Sequence, residues 1–523
     1  MVRQPDIIIG LDAGTSVLKA VAFSIDGRQL ATSSVNNEYR IGPNGEATQS
    51  LPKTWEDCAA AIRGLADRVE ALPARTAALG VTAQGDGTWL LDKDSVPLTD
   101  AWLWLDARAA PTVERLIASP LEEARFHATG TGLNTCQQGA QLAHMKTTRP
   151  ELLETASVAL HCKDWLYFNL TGVLATDPSE ASFTFGDFRS RAYSETVVEA
   201  LGLTGFMSAF PPILDGSETT HPLTDEAAEA TGLRPGLPVA LGFVDMVMTA
   251  LSAGVYTGEE GVGCSTIGST GVHMTAKDAN AVDLNPDRTG YVICLPHENI
   301  VAQTQTNMSA TLNIDWILDV GADLVAEFGS RPTHDEMIAR LEAWLRSTEP
   351  GAVLYHPYIS DAGERGPFLN ADAKANFGGL HGSHRFPHLA RAVVEGLGMA
   401  ARDCYAAMGE MPRELRLSGG ATRSAAFRKI LAASLGAPIR VSAREESGAA
   451  GAAMVAAVGI GGFADMNSCI DQWVTPYLGD AEAPDRDLAE RYQSLYGAYR
   501  DARLGLQQSW STLGDLQRAK APT

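Results

Sequence analysis

Short runs of apolar residues alternate with turn signals at the start of the chain. Residues 7–11, 17–23 and 28–35 are rich in β-branched and other apolar side chains, and Asp26-Gly27 is a strong hairpin signal between the second and third run. The pattern predicts three antiparallel strands that follow one another as a meander.

Helical spacing follows this meander and returns later in the chain. Residues 54–72 repeat apolar positions every three or four residues, and residues 77–82 again resemble a strand. Strands in a meander, followed by alternating helices and strands, indicate an α/β domain with a mixed sheet. The later elements are predicted as helices over 388–408, 446–458 and 485–517, the last after a connection over 473–484, and a strand–Gly-Gly–helix unit over 415–435.

A turn rich in glycine and hydroxyl groups occurs twice, once in each half of the chain. Gly14-Thr15-Ser16-Val17 lies between the first two predicted strands, and Gly268-Ser269-Thr270-Gly271 lies between two later apolar runs. Read as a repeat, the turns predict two related domains that each direct a hairpin to one central cleft. The second copy lacks counterparts of Asp12 and Lys19, and coincidence is the alternative explanation.

Composition and charge restrict the class of protein. A chain of 523 residues is too long for one hydrophobic core, so two domains are expected. The net charge of −22 argues against a surface for nucleic acid or anionic membranes, but not against a nucleotide held by local donors and Mg²⁺. Scattered cysteines without a C-x-x-C pair, no signal-peptide pattern and no apolar run of about 20 residues predict a reduced, cytoplasmic protein.

The stretch DAGTSVLK, residues 12–19, contains the groups that a phosphate site needs. Neither G-x-x-x-x-G-K-[ST] nor G-x-G-x-x-G occurs in the chain, so a nucleotide site must be built in another way. The turn amides and the hydroxyls of Thr15 and Ser16 can bind phosphate oxygens. Asp12 can hold Mg²⁺, and Lys19 adds positive charge. An ordinary β-hairpin with polar turn residues is the alternative.

Residues that suit a polyhydroxylated ligand occur in two neighbouring stretches, 82–92 and 101–110. Carboxylates accept hydrogen bonds from hydroxyl groups, and an indole ring covers the carbon face of such a ligand. Structural tryptophans with solvated acids are the alternative. The candidate residues are Gln84, Asp86, Trp89, Trp104, Asp106 and Arg108.

Asp245 in ALGFVDMVMTAL is an acid among apolar residues. Burial of such a group is costly unless it is paired or functional, which makes Asp245 a candidate for chemistry. Its alternative role is the N-cap of a helix over 246–251. The chain shows no convincing zinc-ligand spacing, and GCSTIG does not match the G-x-S-x-G motif of serine hydrolases.

A double glycine interrupts the pattern near the end of the second half. In LRLSGGATRS an apolar strand runs into Gly419-Gly420, and a helix follows with Thr422 or Ser424 as its N-cap. Glycines at this place let a flat or anionic ligand approach the backbone closely. A plain strand–turn–helix unit is the alternative. The small residues of the next stretch, EESGAAGAAMVAAVG, suit tight helix packing.

Taken in this order, the motifs resemble those of the FGGY carbohydrate kinase family, which has the actin-like, ribonuclease-H-like ATPase fold. The resemblance covers about residues 6–475. It implies an α/β fold of two actin-like domains, 1–253 and 254–480, that flank a central cleft, and a helical tail over 481–523. The matching stretches are DAGTSVLK, WLDAR, KDWLYFNLTG, GFVD, STIGSTG, NFGGLHGSHRFPHLARAVVEGLG, LSGGATRS and EESGAAGAAMVAAVG.

The resemblance also implies a role for each candidate residue. It implies a kinase that uses ATP and Mg²⁺ to phosphorylate a small polyol, with Asp245 as the catalytic base and Asp12 and Asp245 at the metal. No nucleic-acid or membrane partner is expected, and a homodimer is left open. The polyol would contact Gln84, Asp86, Trp104, Asp106 and Asp245. ATP would contact Gly14, Thr15, Ser16, Lys19, Gly268, Ser269, Thr270, Gly419, Gly420, Ala421 and Ser424.

Within the family, the pocket residues are most similar to those of members that phosphorylate erythritol. Xylulose kinases carry Met-His-Gly, and glycerol kinases carry an Arg-Glu pair, where this chain has Gly85-Asp86-Gly87. An extra carboxylate suits a small neutral polyol and would repel a sugar acid. The alternatives are a kinase of a pentulose or of glycerol, and an actin-like nucleotide sensor without catalysis.

Overall fold

The computed structural model of the protein describes residues 5–518, in which the strands form two six-stranded sheets and several smaller ones. In chain order the strands are β1 (Ile7–Ala13), β2 (Val17–Ser24), β3 (Gln29–Asn36), β4 (Arg40–Ile41), β5 (Ala47–Gln49), β6 (Thr76–Ala83), β7 (Trp89–Leu91), β8 (Ala101–Trp102), β9 (Val158–Leu160), β10 (Gly186–Asp187), β11 (Ala192–Tyr193), β12 (His221–Pro222), β13 (Pro238–Leu241), β14 (Val262–Ile267), β15 (Gly271–Asp278), β16 (Tyr291–Cys294), β17 (Ile300–Asn307), β18 (Leu354–His356), β19 (Asn376–Gly378), β20 (Glu414–Ser418) and β21 (Ile439–Val441).

Helices cover the faces of these sheets. In chain order they are α1 (Leu51–Ala66), α2 (Leu72–Arg75), α3 (Ala110–Ile117), α4 (Glu122–Thr129), α5 (Gln138–Thr148), α6 (Pro150–Thr155), α7 (Cys162–Thr171), α8 (Pro178–Phe185), α9 (Glu195–Ala200), α10 (Asp225–Thr231), α11 (Asp245–Ala253), α12 (Thr311–Ala326), α13 (His334–Ser347), α14 (Phe386–Ala407), α15 (Ala425–Leu435), α16 (Ser447–Gly459), α17 (Met466–Trp473) and α18 (Arg486–Arg518). Among the described residues, no helix combines the length and hydrophobicity that a bilayer span requires.

The first large sheet has the strand order β12-β13-β6-β1-β2-β3. β1, β2 and β3 pair antiparallel, while β6 and β13 run parallel to β1. The predicted meander and mixed sheet are therefore confirmed. The β1–β2 register pairs Asp12 with Lys19, so the hairpin alone sets the carboxylate and the ammonium opposite each other.

The second large sheet repeats this topology in the order β16-β17-β15-β14-β20-β21. β14, β15 and β17 form an antiparallel meander, and β20 and β21 run parallel to β14. β14 thus corresponds to β1 and β15 to β2, and each pair is joined by a glycine- and hydroxyl-rich turn. The shared topology shows that the two glycine- and hydroxyl-rich turns are a structural repeat rather than a coincidence.

Two helices pack between the large sheets. α16 belongs to the second half of the chain, yet it packs on the first sheet, where a Cβ atom at Gly10 or Gly80 would meet the carbonyl oxygens of Ala449 and Ala452. Gly451 in turn packs against the backbone of α11 at Met248. These close approaches need glycine because a side chain would separate the helix from the sheet. A division of the chain at 253/254 therefore does not separate the two cores cleanly.

The C-terminal helix α18 packs on the second half of the molecule. Tyr492 donates a hydrogen bond to Glu395 (2.7 Å) and Tyr496 donates one to Asp403 (2.7 Å). The predicted helix over 485–517 is confirmed. Through these buried contacts it is part of the second core rather than a separate tail, and residues 519–523 lie outside the described part of the chain.

Candidate active site

A cavity of about 460 Å³ lies between the two halves of the molecule. Loops that follow β1, β6 and β13 reach it from the first half, and the β14–β15 turn, β16 and β17 reach it from the second. Ligand sites of α/β folds are expected where the carboxyl ends of strands meet in this way. Its lining includes Thr15, Gln84, Asp86, Trp104, Asp245 and Thr270.

Asp12 lies at the end of β1, against the start of α16. A Cβ atom at Gly448, the second residue of α16, would collide with the Asp12 carboxylate, so glycine is required for this approach. Burial raises the pKa of Asp12 to about 6, Lys19 opposes the shift, and the charge of Glu446 adds to it. The Lys19 ammonium lies 2.8 Å from Glu446, so part of its charge is already balanced. Glu446 lies in the stretch EESG, but nothing in the local sequence marks it as a partner of Lys19.

Thr15 connects the hairpin turn with the predicted polyol contacts. Its hydroxyl donates to Gln84 Oε1 (2.7 Å) and accepts from Trp104 Nε1 (2.9 Å). Gln84 Nε2 donates to Gln49 Oε1 (2.7 Å). These polar groups therefore orient one another, and Trp104, which is 46% exposed, lines the cavity.

The rest of the first turn is closed by its own backbone. The Gly14 amide donates to the Val17 carbonyl (3.1 Å), and the Gly14 carbonyl accepts from Asn37 Nδ2 (2.9 Å). Ser16 is exposed at the tip of the turn. The hydroxyl of Ser16, rather than the amide of Gly14, is thus available to a ligand from solvent.

Asp245 is the first residue of α11 and lines the cavity. Val244 occupies the N-cap position, so the alternative role of Asp245 as N-cap is wrong. One carboxylate oxygen accepts from the Met246 amide (2.7 Å). Burial raises the pKa of Asp245 to about 7, and the nearby charge of Asp12 adds to the shift. A carboxylate with this pKa can exchange a proton near neutral pH.

Asp86 faces the same cavity from the loop after β6. It adopts a φ of 58° between Gly85 and Gly87, a left-handed conformation that Asp tolerates better than most residues. Its amide donates to Glu180 Oε1 (3.2 Å). Oδ1 is buried without a hydrogen-bond partner among residues 5–518, and burial raises the pKa of Asp86 to about 6. This oxygen is ready to accept a hydrogen bond from a ligand.

A buried network of charges supports Asp86 from behind. Glu180 Oε2 lies 3.1 Å from His161 Nε2, and His161 Nδ1 lies 3.2 Å from Asp164. Lys163 pairs with Asp164 (2.8 Å) and with Asp177 (2.7 Å). The motif KDWLYFNLTG contains Lys163 but does not reveal this network, because the members come from α7, α8 and their N-cap residues and meet only in the fold.

Asp106 does not reach the cavity. It is fully buried, and its oxygens accept from the Ala47 amide (2.9 Å) and from Arg108 Nη2 (2.6 Å). The Arg108 guanidinium lies 3.5 Å from the centroid of the Trp102 ring. The predicted polyol contact of Asp106 is therefore corrected to a structural role, and Trp89 is likewise buried in the core.

The β14–β15 turn borders the cavity from the opposite side. The Gly268 and Ser269 carbonyls accept from the amides of Thr311 (2.9 Å) and Ala310 (2.7 Å), which joins the turn to the start of α12. Thr270 lines the cavity, and a Cβ atom at Gly268 would meet nothing within 4 Å. The turn thus offers an open face opposite the first hairpin.

The double glycine lies beside this turn. Gly419 has a φ of 88°, and a Cβ atom there would lie 2.6 Å from the Ile267 carbonyl, whereas Gly420 borders open space. Ser424 is the N-cap of α15, and its hydroxyl accepts from the Phe427 amide (3.2 Å). Ala421 is buried. Gly420 is accordingly the residue here at which a flat ligand can approach the backbone.

Two protein-family models match this chain. The N-terminal domain of the FGGY family of carbohydrate kinases matches residues 7–252, and its C-terminal domain matches residues 264–460. The chain belongs to the FGGY family of carbohydrate kinases. The resemblance in the motifs is thus confirmed, and so is the two-domain α/β fold.

Known FGGY kinases are similar to this chain over nearly its whole length. The erythritol kinase of Brucella abortus (strain 2308) is 62% identical over 513 residues, which cover 98% of this chain and 99% of that protein. The L-xylulose/3-keto-L-gulonate kinase of Escherichia coli (strain K12) is 27% identical over 95% of this chain and 97% of its own. The structure of the ligand-bound xylulose kinase of Lactobacillus acidophilus superposes with a TM-score of 0.88 at 20% identity, covering 98% of this chain and 100% of that one.

Proposed function

We propose that this carbohydrate kinase transfers the γ-phosphoryl group of ATP to a primary hydroxyl of erythritol. The observation that carries the proposal is Asp245, a carboxylate with a pKa of about 7 that lines an inter-domain cavity and has Asp12 as its neighbour. The full-length similarity to a protein named erythritol kinase supports the choice of acceptor.

In the proposed reaction Asp245 takes the proton of the acceptor hydroxyl. The polyol oxygen then forms its bond to the γ-phosphorus while the bond from that phosphorus to the bridging oxygen of ADP breaks. A positioned base is needed because a neutral alcohol is a weak nucleophile, and such a base contributes about 10²- to 10⁴-fold to rate. Closure of the two halves would exclude water and limit ATP hydrolysis.

The residues around Asp12 fit Mg²⁺ and the phosphates of ATP. Mg²⁺ takes one or two protein carboxylates and completes its shell with phosphate oxygens and water, which suits Asp12 and Asp245. When bound, Mg²⁺ neutralises charge on the transferred phosphoryl group. Thr15, Ser16, Lys19 and the Gly268–Thr270 turn would hold phosphates, and Gly419, Gly420 and Ala421 would border the adenosine.

The polar groups of the cavity favour a neutral polyol. Asp86 and Asp245 accept hydrogen bonds from the hydroxyl groups of a polyol, and the negative charge of these carboxylates would repel the carboxylate of a sugar acid. A pentulose or glycerol kinase has the same chemistry at Asp245, so only the acceptor separates these alternatives. A sensor without catalysis would have no need of a base at Asp245.

A reducing compartment is proposed for the protein. All seven cysteines are buried and unpaired in the structure. Free thiols of this kind are typical of cytoplasmic proteins.

A substrate panel tests the proposed function. ADP release would be measured with erythritol, glycerol, xylitol, D-xylulose, L-xylulose and gluconate at saturating ATP and Mg²⁺. We expect the highest kcat/KM with erythritol. A higher value with another acceptor would contradict the proposed substrate, and ATP binding without turnover on any acceptor would favour the sensor.

A further inference from the structure

One cation in the cavity has no role in the function proposed above. Arg365 lines the cavity from the second half of the molecule, on the loop between β18 and β19. Its guanidinium makes no hydrogen bond or ion pair with the residues that the structure describes. An unpaired guanidinium in a partly buried site is costly unless a ligand pairs with it.

The Arg365 backbone is held firmly. Glu364, which is 1% exposed, accepts from the amides of Met308 (3.0 Å) and Arg365 (3.0 Å). The Gly366 carbonyl accepts from Asn307 Nδ2 (3.3 Å), and a Cβ atom at Gly366 would lie 2.6 Å from the Thr306 carbonyl. The loop is thus fastened to the end of β17, which fixes the backbone position from which the Arg365 side chain reaches the cavity.

Arg365 lies at the Asp86 side of the cavity. Its positive charge acts on Cys136 and Tyr291, whose side chains are 3.8 Å apart, and Cys136 also interacts with Asp86. The charge that acts most strongly on Asp245 is that of Asp12, and the charge of Asp86 contributes less. Asp245 thus connects the phosphate side, where Asp12 lies, with the part of the cavity that holds Asp86 and Arg365.

We propose that Arg365 binds the hydroxyl oxygens at the end of the polyol remote from the reacting hydroxyl, and thereby sets the preference for chain length. This inference rests on the proposed function. A polyol hydroxyl both donates and accepts, so the remote end donates to the free oxygen of Asp86 and accepts from the guanidinium. A three-carbon polyol whose first hydroxyl is held at Asp245 would not reach both groups.

The test compares Arg365→Gln and Arg365→Lys with the wild type and with Arg346→Gln. Arg346 is the matched control, because it lies on α13 of the same half and its side chain is 76% exposed. Initial rates would give kcat and both KM values with erythritol, glycerol and xylitol. Melting temperatures of all variants would be recorded.

For Arg365→Gln we expect the KM for erythritol to rise about 10- to 100-fold, the loss typical of a hydrogen bond to a charged group. The KM for ATP should change less than about threefold. The preference for erythritol over glycerol should fall about 10-fold or more, because glycerol lacks the fourth hydroxyl group with which erythritol would reach Arg365. For Arg365→Lys we expect a KM for erythritol between those of the wild type and of Arg365→Gln, because lysine keeps the positive charge but lacks the planar guanidinium group.

An unchanged erythritol-to-glycerol preference, or an equal rise of both KM values, would overturn the inference. If Arg365→Gln does not fold, the erythritol-to-glycerol preference of Arg365→Lys provides the test: an unchanged preference would overturn the inference. If the wild type prefers another acceptor, the proposed function fails by itself. Arg365 is then tested with that acceptor and its homologue one carbon shorter, and the same two outcomes apply.

Discussion

At the scale of single residues, the site depends on carboxylates whose surroundings differ. Asp245 is partly buried beside Asp12, Asp86 has a buried oxygen without a partner, and Asp106 is fully buried and paired with Arg108. Only the first two line the cavity. Identical side chains therefore receive different roles from burial and partners, and the roles of Asp245 and Asp86 can each be tested by substitution.

Asp245→Asn should reduce kcat by about 10²- to 10⁴-fold, because the amide cannot accept the proton of the acceptor. The fold should survive, since the hydrogen bond from the Met246 amide can be made to the amide oxygen. Asp225→Asn is the matched control, because Asp225 also begins a helix, α10, but is exposed. A near-normal kcat in Asp245→Asn would contradict the assignment.

Asp86→Ala should raise the KM for the polyol far more than the KM for ATP. Loss of one hydrogen bond to a charged group costs about 1.5–3 kcal/mol, or about one to two decades in affinity. Asp94→Ala, with a side chain 68% exposed on the same half, is the control. Steady-state kinetics with each substrate varied in turn would measure the effect, and equal changes in both KM values would show that Asp86 is only structural.

At the scale of elements, helix α16 joins the two halves through glycine. The predicted helix over 446–458 is observed as Ser447–Gly459, and the small residues pack as the sequence indicates. What the pattern does not reveal is the partner. α16 packs on β1 and β6, strands more than 300 residues earlier in the chain, where Gly10 and Gly80 admit its backbone.

Gly80→Ala should destabilise the protein by about 1–3 kcal/mol, because the added methyl group would collide with the Ala452 carbonyl and separate α16 from the sheet. Gly497→Ala is the contrast: it lies on the exposed face of α18 with nothing within 4 Å, and should stabilise by about 0.5–1 kcal/mol. Urea unfolding would measure both. Equal stability of Gly80→Ala and wild type would show that the helix can shift at no cost.

At the scale of the whole molecule, stability should depend on pH through the carboxylates of the cleft. The folded state raises the pKa of Asp245 to about 7, mainly by burial and then by the charge of Asp12. The folded protein therefore binds more protons than the unfolded chain between about pH 4 and pH 7, and its stability falls as the pH rises through this range.

In the absence of ATP, we expect the melting temperature of the wild type to fall between pH 5 and pH 8, and that of Asp245→Asn to fall less. The Asn variant has no proton to lose at this position, so its melting temperature at pH 8 should exceed that of the wild type. Thermal melts at constant ionic strength would measure both curves. Parallel curves would show that Asp245 titrates normally.

Local sequence determined much of this protein. The strands β1 to β3, the helices around 388–408, 446–458 and 485–517, and the Gly-Gly turn follow from apolar spacing and turn residues, which act between neighbours in the chain. Element ends were less predictable: α1 begins at Leu51 after the N-cap Ser50 and ends at Ala66, short of the predicted 72. The motifs around Asp12 and Asp245 indicated the family and its chemistry.

Tertiary structure alone decided which groups share a site. Glu446 meets Lys19 across 427 residues, Glu180 meets Asp86 across 94, and Arg365 enters the cavity from the other half of the molecule. Tertiary structure also places Asp106 outside the cavity, where Arg108 and the Ala47 amide donate hydrogen bonds to its carboxylate. Spacing along the chain records neither the burial of a charge nor its distant partners, and these two quantities set the pKa and the free hydrogen-bonding capacity of every residue in the cleft.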